Sequence, residues 1–534
     1  MTADLILHNA KIYTVDKRRP WAEAVAVRNG RFLAVGDNEA VLKLAGPETK
    51  LIDGKGRLAL PGLTDAHVHF LQVAIRSRQV SLFGVRDFAE VQRLVETAVS
   101  QTPPDQWVLG WGWDDNLWDV RPTAAHLDAI AGDKPVALAR MDMHSWWVNS
   151  AALRVAGIDA TTPDPPESKI ERDENGRPNG ILREWNAIGL VQPHIPEPDA
   201  ATLAIWLRET ISTAHRLGLT GIHDQRVERE GAQSFRLWQS LRRQNQLKLR
   251  VHMNIAADFI DEAATLGLQP GFGDDFLWVG HAKAFADGAM GSRTASMLAP
   301  YKGEPDNVGV IVTPADELWQ IASRAADAGF SMSVHAIGDR AVREVIDVLG
   351  ERQTVDAPAR LVLPHRVEHV QVAHPDDLPR LAQHNLIASV QPVHLQTDWP
   401  TADAVWGDRA RYAYAFRTLL NHGTVLAFGS DAPVAPLNPM LGIHAALTRQ
   451  DARGLPEGGW YPEERLTLGE IIWAYTMGPA TMAGKTAVQG SITPGKWADL
   501  IVLADDLFTL PGTAVKDAKV DLTIFNGEVV FTRS

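Results

Sequence analysis

The feature that most restricts the fold is a repeated alternation of apolar strand runs and amphipathic helix patterns through the middle of the chain. Ala201 to Leu217 reads as a helix stopping at Gly218, and Leu219-Thr-Gly-Ile-His-Asp224 follows as a strand. Thr313 reads as an N-cap with Pro314 in the first helical position; the helix runs to Gly329, and Phe330-Ser-Met-Ser-Val-His335 follows as a strand. A helix beginning near Asp339 precedes a strand from Leu361 to His369, and one from Pro375 to Gln383 precedes Leu386 to Gln391. Another spans Arg409 to His422, halts at Gly423, and leads into Thr424-Val-Leu-Ala-Phe-Gly-Ser-Asp431. Repeated βα units imply a parallel sheet, because parallel neighbours need a crossover connection. Adding the run that ends in His67-Val-His69, Val136 to Arg140 and Trp278 to Lys283 gives about eight strands, the number a (β/α)8 TIM barrel needs. A doubly wound open sheet is the alternative.

The two ends have a different texture. Ala22 to Arg28 and Arg31 to Gly36 alternate apolar and polar residues around Asn29-Gly30, a strong hairpin signal. Ala498 to Leu503 is a strand candidate, and Val520 to Phe525 and Glu528 to Phe531 flank Asn526-Gly527. The expected organisation is a small β-sandwich from residues 1–58 and 488–534, around a barrel over 59–487 with insertions between its early strands. Separate end caps are the other option. Residues 161–180, rich in Pro, Asp, Glu, Asn and Gly, read as a loop or small excursion.

His67 and His69, two apart in an extended strand, project to one face and make half of a metal site. Lys283, His335, His369 and Asp431 also fall at the C-terminal ends of predicted strands, where barrel active sites lie. Each has an ordinary explanation: a core histidine for His335, a polar pair with Glu368 for His369, a helix cap for Asp431, a solvent-reaching chain for Lys283. All six at one end of the strands is a coincidence those explanations do not cover.

Composition excludes other classes. A net charge of −13 argues against a nucleic-acid binder. The chain has no Cys, so disulfides, thiolate ligands and a Cys nucleophile are out, which fits a reducing, cytoplasmic setting. No basic-then-apolar leader opens the sequence, and no apolar run has membrane-spanning length. Gly490-x4-Gly495-Lys496 imitates a phosphate loop, but Trp497 stands where Ser or Thr is required. No Gly-x-Ser-x-Gly elbow occurs.

The chain resembles the amidohydrolase superfamily, specifically its YtcJ-like branch (amidohydrolase family three), and is similar to N-substituted formamide deformylases. The resemblance spans essentially the whole sequence. It is carried by Pro61-Gly-Leu-Thr-Asp-Ala-His-Val-His69, Trp111-Gly-Trp-Asp-Asp115, Lys283-Ala-Phe-Ala-Asp-Gly288 and Gly291-Ser-Arg-Thr-Ala295. It continues through Val334-His-Ala-Ile-Gly-Asp-Arg340, Arg366-Val-Glu-His369, Gln391-Pro-Val-His394, Gly429-Ser-Asp-Ala-Pro433 and Gly490-Ser-Ile-Thr-Pro-Gly-Lys-Trp-Ala-Asp-Leu500. It implies a metal-bearing barrel in which His67, His69 and Asp431 hold one metal and His335 and His369 a second, with a carboxylated Lys283 as bridge. Nitrogen and oxygen donors suit zinc, with manganese, iron and cobalt as alternatives. Paired metals supply hydroxide at neutral pH, and Asp431 is the expected catalytic proton shuttle.

The expected activity is metal-dependent hydrolysis of a C–N bond in an N-substituted formamide or N-acyl compound. A deaminase or cyclic-amide hydrolase is the alternative, and an inactive scaffold is disfavoured because every ligand position is filled. The expected partner is a small-molecule substrate, without nucleic acid or membrane; a homodimer is compatible with the sequence. Trp111 and Trp113, in a Gly-flexed aromatic stretch, are candidates for a substrate wall. His144, Asn149 and Arg293 are further candidate substrate contacts, with His281, His394 and Asp398 behind them.

Overall fold

The structure, a computed structural model, describes residues 1–141, 145–166, 168–225, 231–355 and 361–533, without the side chain of Asn116. The chain divides into two compact units, one of residues 1–70 and 207–534 and one of residues 71–206.

Eight parallel strands organise the first unit: β1 (Leu63–Val68), β2 (Leu219–Asp224), β3 (Arg250–Ala256), β4 (Leu277–Phe285), β5 (Met332–Ala336), β6 (Arg366–His369), β7 (Ile387–Val390) and β8 (Leu426–Phe428). They pair in chain order from β1 to β8. Beyond the last ladder, Asp431 N–H donates to His67 O at 2.7 Å, and Ser430 donates to the Asp65 carboxylate from its N–H at 3.0 Å and its Oγ at 2.5 Å. The end of β8 is therefore fastened to β1, and the sheet is a nearly closed (β/α)8 barrel.

One strand differs from the sequence pattern. Val136–Arg140 is a strand, but it pairs with Val108–Trp113 in the other unit. Its place in the barrel belongs to β3, whose Arg250, His252 and Asn254 are fully buried. Polar residues at buried positions removed the apolar signature by which a strand of this kind is recognised. The helix starting at Pro314 begins one residue later, at Ala315, and the 375–383 helix begins at Leu378. The 409–422 helix is broken into a 3₁₀ turn, Gly407–Tyr412, and a helix, Phe416–Asn421, where Tyr414 takes a left-handed φ of 52° and its N–H donates to Gln371 O.

Strands from both ends of the chain share one sheet. Leu500–Leu503 pairs antiparallel with Leu58–Pro61, and Val520–Phe525 and Glu528–Thr532 extend the same sheet. A second sheet holds Leu5–His8, Ala24–Arg28, Arg31–Gly36 and Lys50–Asp53. Leu7, Val25, Val27, Phe32, Leu500, Val502 and Ile524 form their common apolar core. Both Asn-Gly turns adopt the all-positive φ that two-residue hairpins favour, Asn29 and Gly30 at 51° and 71°, Asn526 and Gly527 at 50° and 79°. Arg250, on β3, donates to Asp499 beside this sheet and to Asp275 O, so a buried ion pair ties the barrel to the terminal strands.

The second unit is a six-stranded sheet with its own core of Val91, Val95, Val108, Trp113, Leu127, Val136, Leu138 and Trp147. Within and just beyond residues 161–180, expected as a loop or small excursion, Lys169–Arg172 and Pro178–Arg183 form an antiparallel hairpin at its edge. Among the described residues no helix is long and apolar enough to cross a membrane.

Candidate metal centre

Asp431 lies where the β1 and β8 ends meet, in a left-handed conformation with φ of 58°. Its Oδ1 stands 3.3 Å from both His67 Nε2 and His69 Nε2. The ligand atoms of these three side chains all lie within 4.8 Å of one another, a span that one cation can bridge. A second group with the same mutual spacing is His369, His394 and Asp431.

The nitrogens are oriented by partners that the sequence reading did not single out. Glu368, fully buried, accepts from Arg366 and from His67 Nδ1, the latter at 2.6 Å. An ionised carboxylate only accepts, so His67 Nδ1 carries a proton and Nε2 is the nitrogen turned toward Asp431. His369 Nδ1 lies 2.9 Å from Gln391 Oε1, and the Gln391 amide nitrogen donates to Ser389 O, which fixes which end of the amide faces the ring. In a regular strand Glu368 and His369 would face opposite sides. The φ of 72° at His369 breaks that alternation, and both side chains reach His67: Glu368 by its hydrogen bond, His369 with ring centroids 4.9 Å apart. Backbone strain of this kind concentrates at functional sites. Arg366-Val-Glu-His369 carried the available signal, two charged residues at strand spacing in a segment otherwise expected to be buried.

Burial works against ionisation of Asp431, but His67, His69 and His369 outweigh it and hold the carboxyl well below the usual range. Burial likewise opposes ionisation of Glu368, and the Arg366 guanidinium overrides it. Burial and the neighbouring His335 drive His369 well below its ordinary value, so its imidazole is neutral. Lys283 Nζ is buried and has no hydrogen-bond partner; burial lowers its pKa to about 8. Convergent imidazoles, a carboxylate and a buried amine without a hydrogen-bond partner fit a divalent-metal centre.

His335 is close by, its ring centroid 4.5 Å from that of His369. Its Nε2, however, lies 2.9 Å from Gly288 O and 3.5 Å from Asp287 Oδ1, and a carbonyl can only accept. The expected substrate contacts are less concentrated. Trp113 is 1% exposed, donates from Nε1 to Leu138 O at 2.8 Å, and packs on Trp118 and Trp147, so it is a core residue of the second unit with no face free for a ligand. Trp111 is half-buried with the Arg76 guanidinium 5.2 Å from its ring. Asn149 caps the helix Ser150–Val155 and accepts from Val136 N–H, which explains it structurally. Arg293 is half-exposed and paired with Glu304. His144 lies outside the described residues.

A parallel eight-stranded barrel with a His-x-His pair on β1 and an aspartate after β8 is the architecture of a metal-dependent hydrolase. The amidohydrolase family model matches residues 50–531, and the chain belongs to that family. It is 30% identical to the Bacillus subtilis (strain 168) protein YtcJ over 99% of both chains. It is 28% identical to an N-substituted formamide deformylase of Arthrobacter pascens, again over 99% of both. Among solved structures, a metal-dependent hydrolase from Pyrococcus horikoshii OT3 superposes with a TM-score of 0.78 at 25% identity, covering 95% of this chain and 99% of the other.

Proposed function

We propose that this protein hydrolyses the C–N bond of an amide-like small molecule, an N-substituted formamide or N-acyl amine. The observation that carries the reading is the Asp431 carboxylate, placed 3.3 Å from His67 Nε2 and from His69 Nε2 at the barrel mouth. The full-length similarity to an N-substituted formamide deformylase supports the choice of bond. Zinc is the metal we favour, two ions, because the donors are nitrogen and oxygen. Metal held there would supply a nucleophile from water at neutral pH and polarise the acyl oxygen.

The chain's own groups do the rest. His67 and His69 turn Nε2 toward Asp431, and Glu368 fixes the His67 ring. Asp431, kept ionised, accepts the proton of the attacking water and delivers it to the departing nitrogen, which leaves as an amine. Lys283 is the candidate bridging group. Its neutral amine adds to CO₂, forming an N–C bond and losing a proton, and the resulting carbamate is an anionic oxygen donor. The orphaned, buried Nζ supports this, since a cationic ammonium beside metal ions would be repelled.

The test is a panel of N-substituted formamides, N-acyl amines, lactams and esters offered to zinc-loaded and chelator-stripped enzyme. Amine release from the acyclic amides, abolished by chelation and restored by zinc, is expected. Turnover confined to lactams or esters would overturn the reading.

A further inference from the structure

One buried nitrogen near Asp431 is left out of the ligand set that the resemblance implies. We propose that His394 is a metal ligand, closing a second donor set with His369 and Asp431 beside the set of His67, His69 and Asp431. The inference rests on the metal-dependent reading above and adds to it a ligand from the segment that follows β7.

Geometry carries it. The ligand atoms of His369, His394 and Asp431 lie within 4.8 Å of one another. His394 Nε2 is 3.8 Å from Asp431 Oδ2, the oxygen not shared by the His67 and His69 contacts. That separation is too long for a hydrogen bond and leaves room for a cation between the two. His394 is 7% exposed, and its Nε2 has no hydrogen-bond partner. A buried polar atom left unsatisfied is costly, and such an atom aimed at a carboxylate is accounted for by a ligand between them.

The other ring nitrogen explains how Nε2 is kept free. His394 Nδ1 lies 3.4 Å from the Gln371 amide, whose Oε1 is itself buried without a partner. Turning that amide over about its terminal bond presents Oε1 to Nδ1–H, a donor–acceptor pair, with the NH2 on the side where Oε1 stood. His394 then repeats the arrangement of His67 on Glu368 and His369 on Gln391: Nδ1 donating to a fixed acceptor, Nε2 facing Asp431. His335 does the reverse. Its Nε2 lies 2.9 Å from Gly288 O, so that nitrogen carries the proton.

The position of His394 is also held from behind. It directly precedes the helix Leu395–Trp406, and on that helix Asp398 accepts from Tyr414 Oη at 2.5 Å. The ring therefore stands on an anchored element, as a preorganised ligand requires.

The test counts zinc bound per chain by equilibrium dialysis and elemental analysis, without substrate, in wild type, His394→Ala and His394→Asn. Circular dichroism checks that each variant is folded, and the Asn variant covers the event that Ala does not fold. Wild type is expected to bind two equivalents and both His394 variants one. Cobalt substitution gives a second readout, since loss of an imidazole from one site changes the visible d–d spectrum. Two equivalents retained in a folded His394 variant overturn the inference and leave the metal-dependent reading standing. One equivalent in wild type, unchanged in the His394 variants, does the same. No zinc in wild type overturns both. Failure to find an amide substrate touches neither count.

Discussion

Two clusters of buried histidines occupy the same barrel. At the mouth stand His67, His369 and His394 around Asp431, with His69 at the rim. Deeper in lie His223 on β2, His252 on β3 and His281 on β4, the last only two residues before Lys283. The deep cluster is as compact, with the His223 and His252 rings stacked at 4.3 Å. Its nitrogens, however, are spent. Trp278 Nε1–H donates to His252 Nδ1 at 2.8 Å, His252 Nε2 meets His281 Nδ1 at 3.1 Å, and His281 Nε2 meets Pro364 O at 3.0 Å. The tryptophan can only donate, so the chain of protons runs one way and every tautomer is fixed. Arg366 Nη1–H takes up His223 Nδ1 at 3.1 Å. A histidine-rich interior is thus a metal centre only where lone pairs remain and a carboxylate meets them. In the deep cluster the same residue type is a rigid polar scaffold.

Arg366 links the two regions. It donates to His223 below, to Glu368 above, to Ala66 O on β1 and to Ser389 Oγ on β7. The scaffold thereby sets the angle of His67 through Glu368.

Four outcomes sharpen this contrast. The largest is expected at the mouth: Asp431→Asn should lower kcat of the zinc-loaded enzyme about 10²–10⁴-fold, the usual contribution of a general acid–base group. Wild-type kcat in that variant would remove Asp431 from proton transfer. Next comes the link. Glu368→Ala leaves the Arg366 guanidinium buried without its carboxylate, and breaking such a pair costs about 3–5 kcal/mol. Urea unfolding of metal-free protein measures it, and a loss below 1 kcal/mol would show that the link carries no stability.

The third is in the scaffold. His252→Phe keeps a ring but strips Trp278 Nε1 and His281 Nδ1 of a partner, a loss of about 1–3 kcal/mol with zinc content unchanged. If zinc binding fell with it, the two clusters would not be separable. The smallest effect is a pH slope. Burial holds His223, His252 and His281 well below the ordinary histidine value, so the folded chain keeps them neutral while the unfolded chain takes up protons below about pH 6.5. Stability should therefore fall as pH drops below that point, by at most about 1.4 kcal/mol per pH unit per histidine. The acid limb of His252→Phe should be shallower by one such increment in unfolding series from pH 7 to pH 5. Parallel limbs would show that His252 is not held neutral.

Much of this was legible in the residue order. The helix–strand alternation from Ala201 to Asp431 led to a barrel, the two Asn-Gly turns were read in place, and His67-Val-His69 pointed to one face of a strand. These are local properties: strand period, turn stereochemistry and helix stop signals act over a few residues. Other features depended on partners far away in sequence. β3 was hidden because Arg250, His252 and Asn254 look like surface residues until the chain buries them against Asp499, Trp278 and Gln225. Trp113 looked like a pocket wall until Leu138 and Trp147 closed over it. The role of a histidine was the least legible of all. His281, His335 and His394 have the same ring, and only the tertiary structure decides which nitrogen each has left, because that depends on acceptors as remote as Pro364, Gly288 and Gln371.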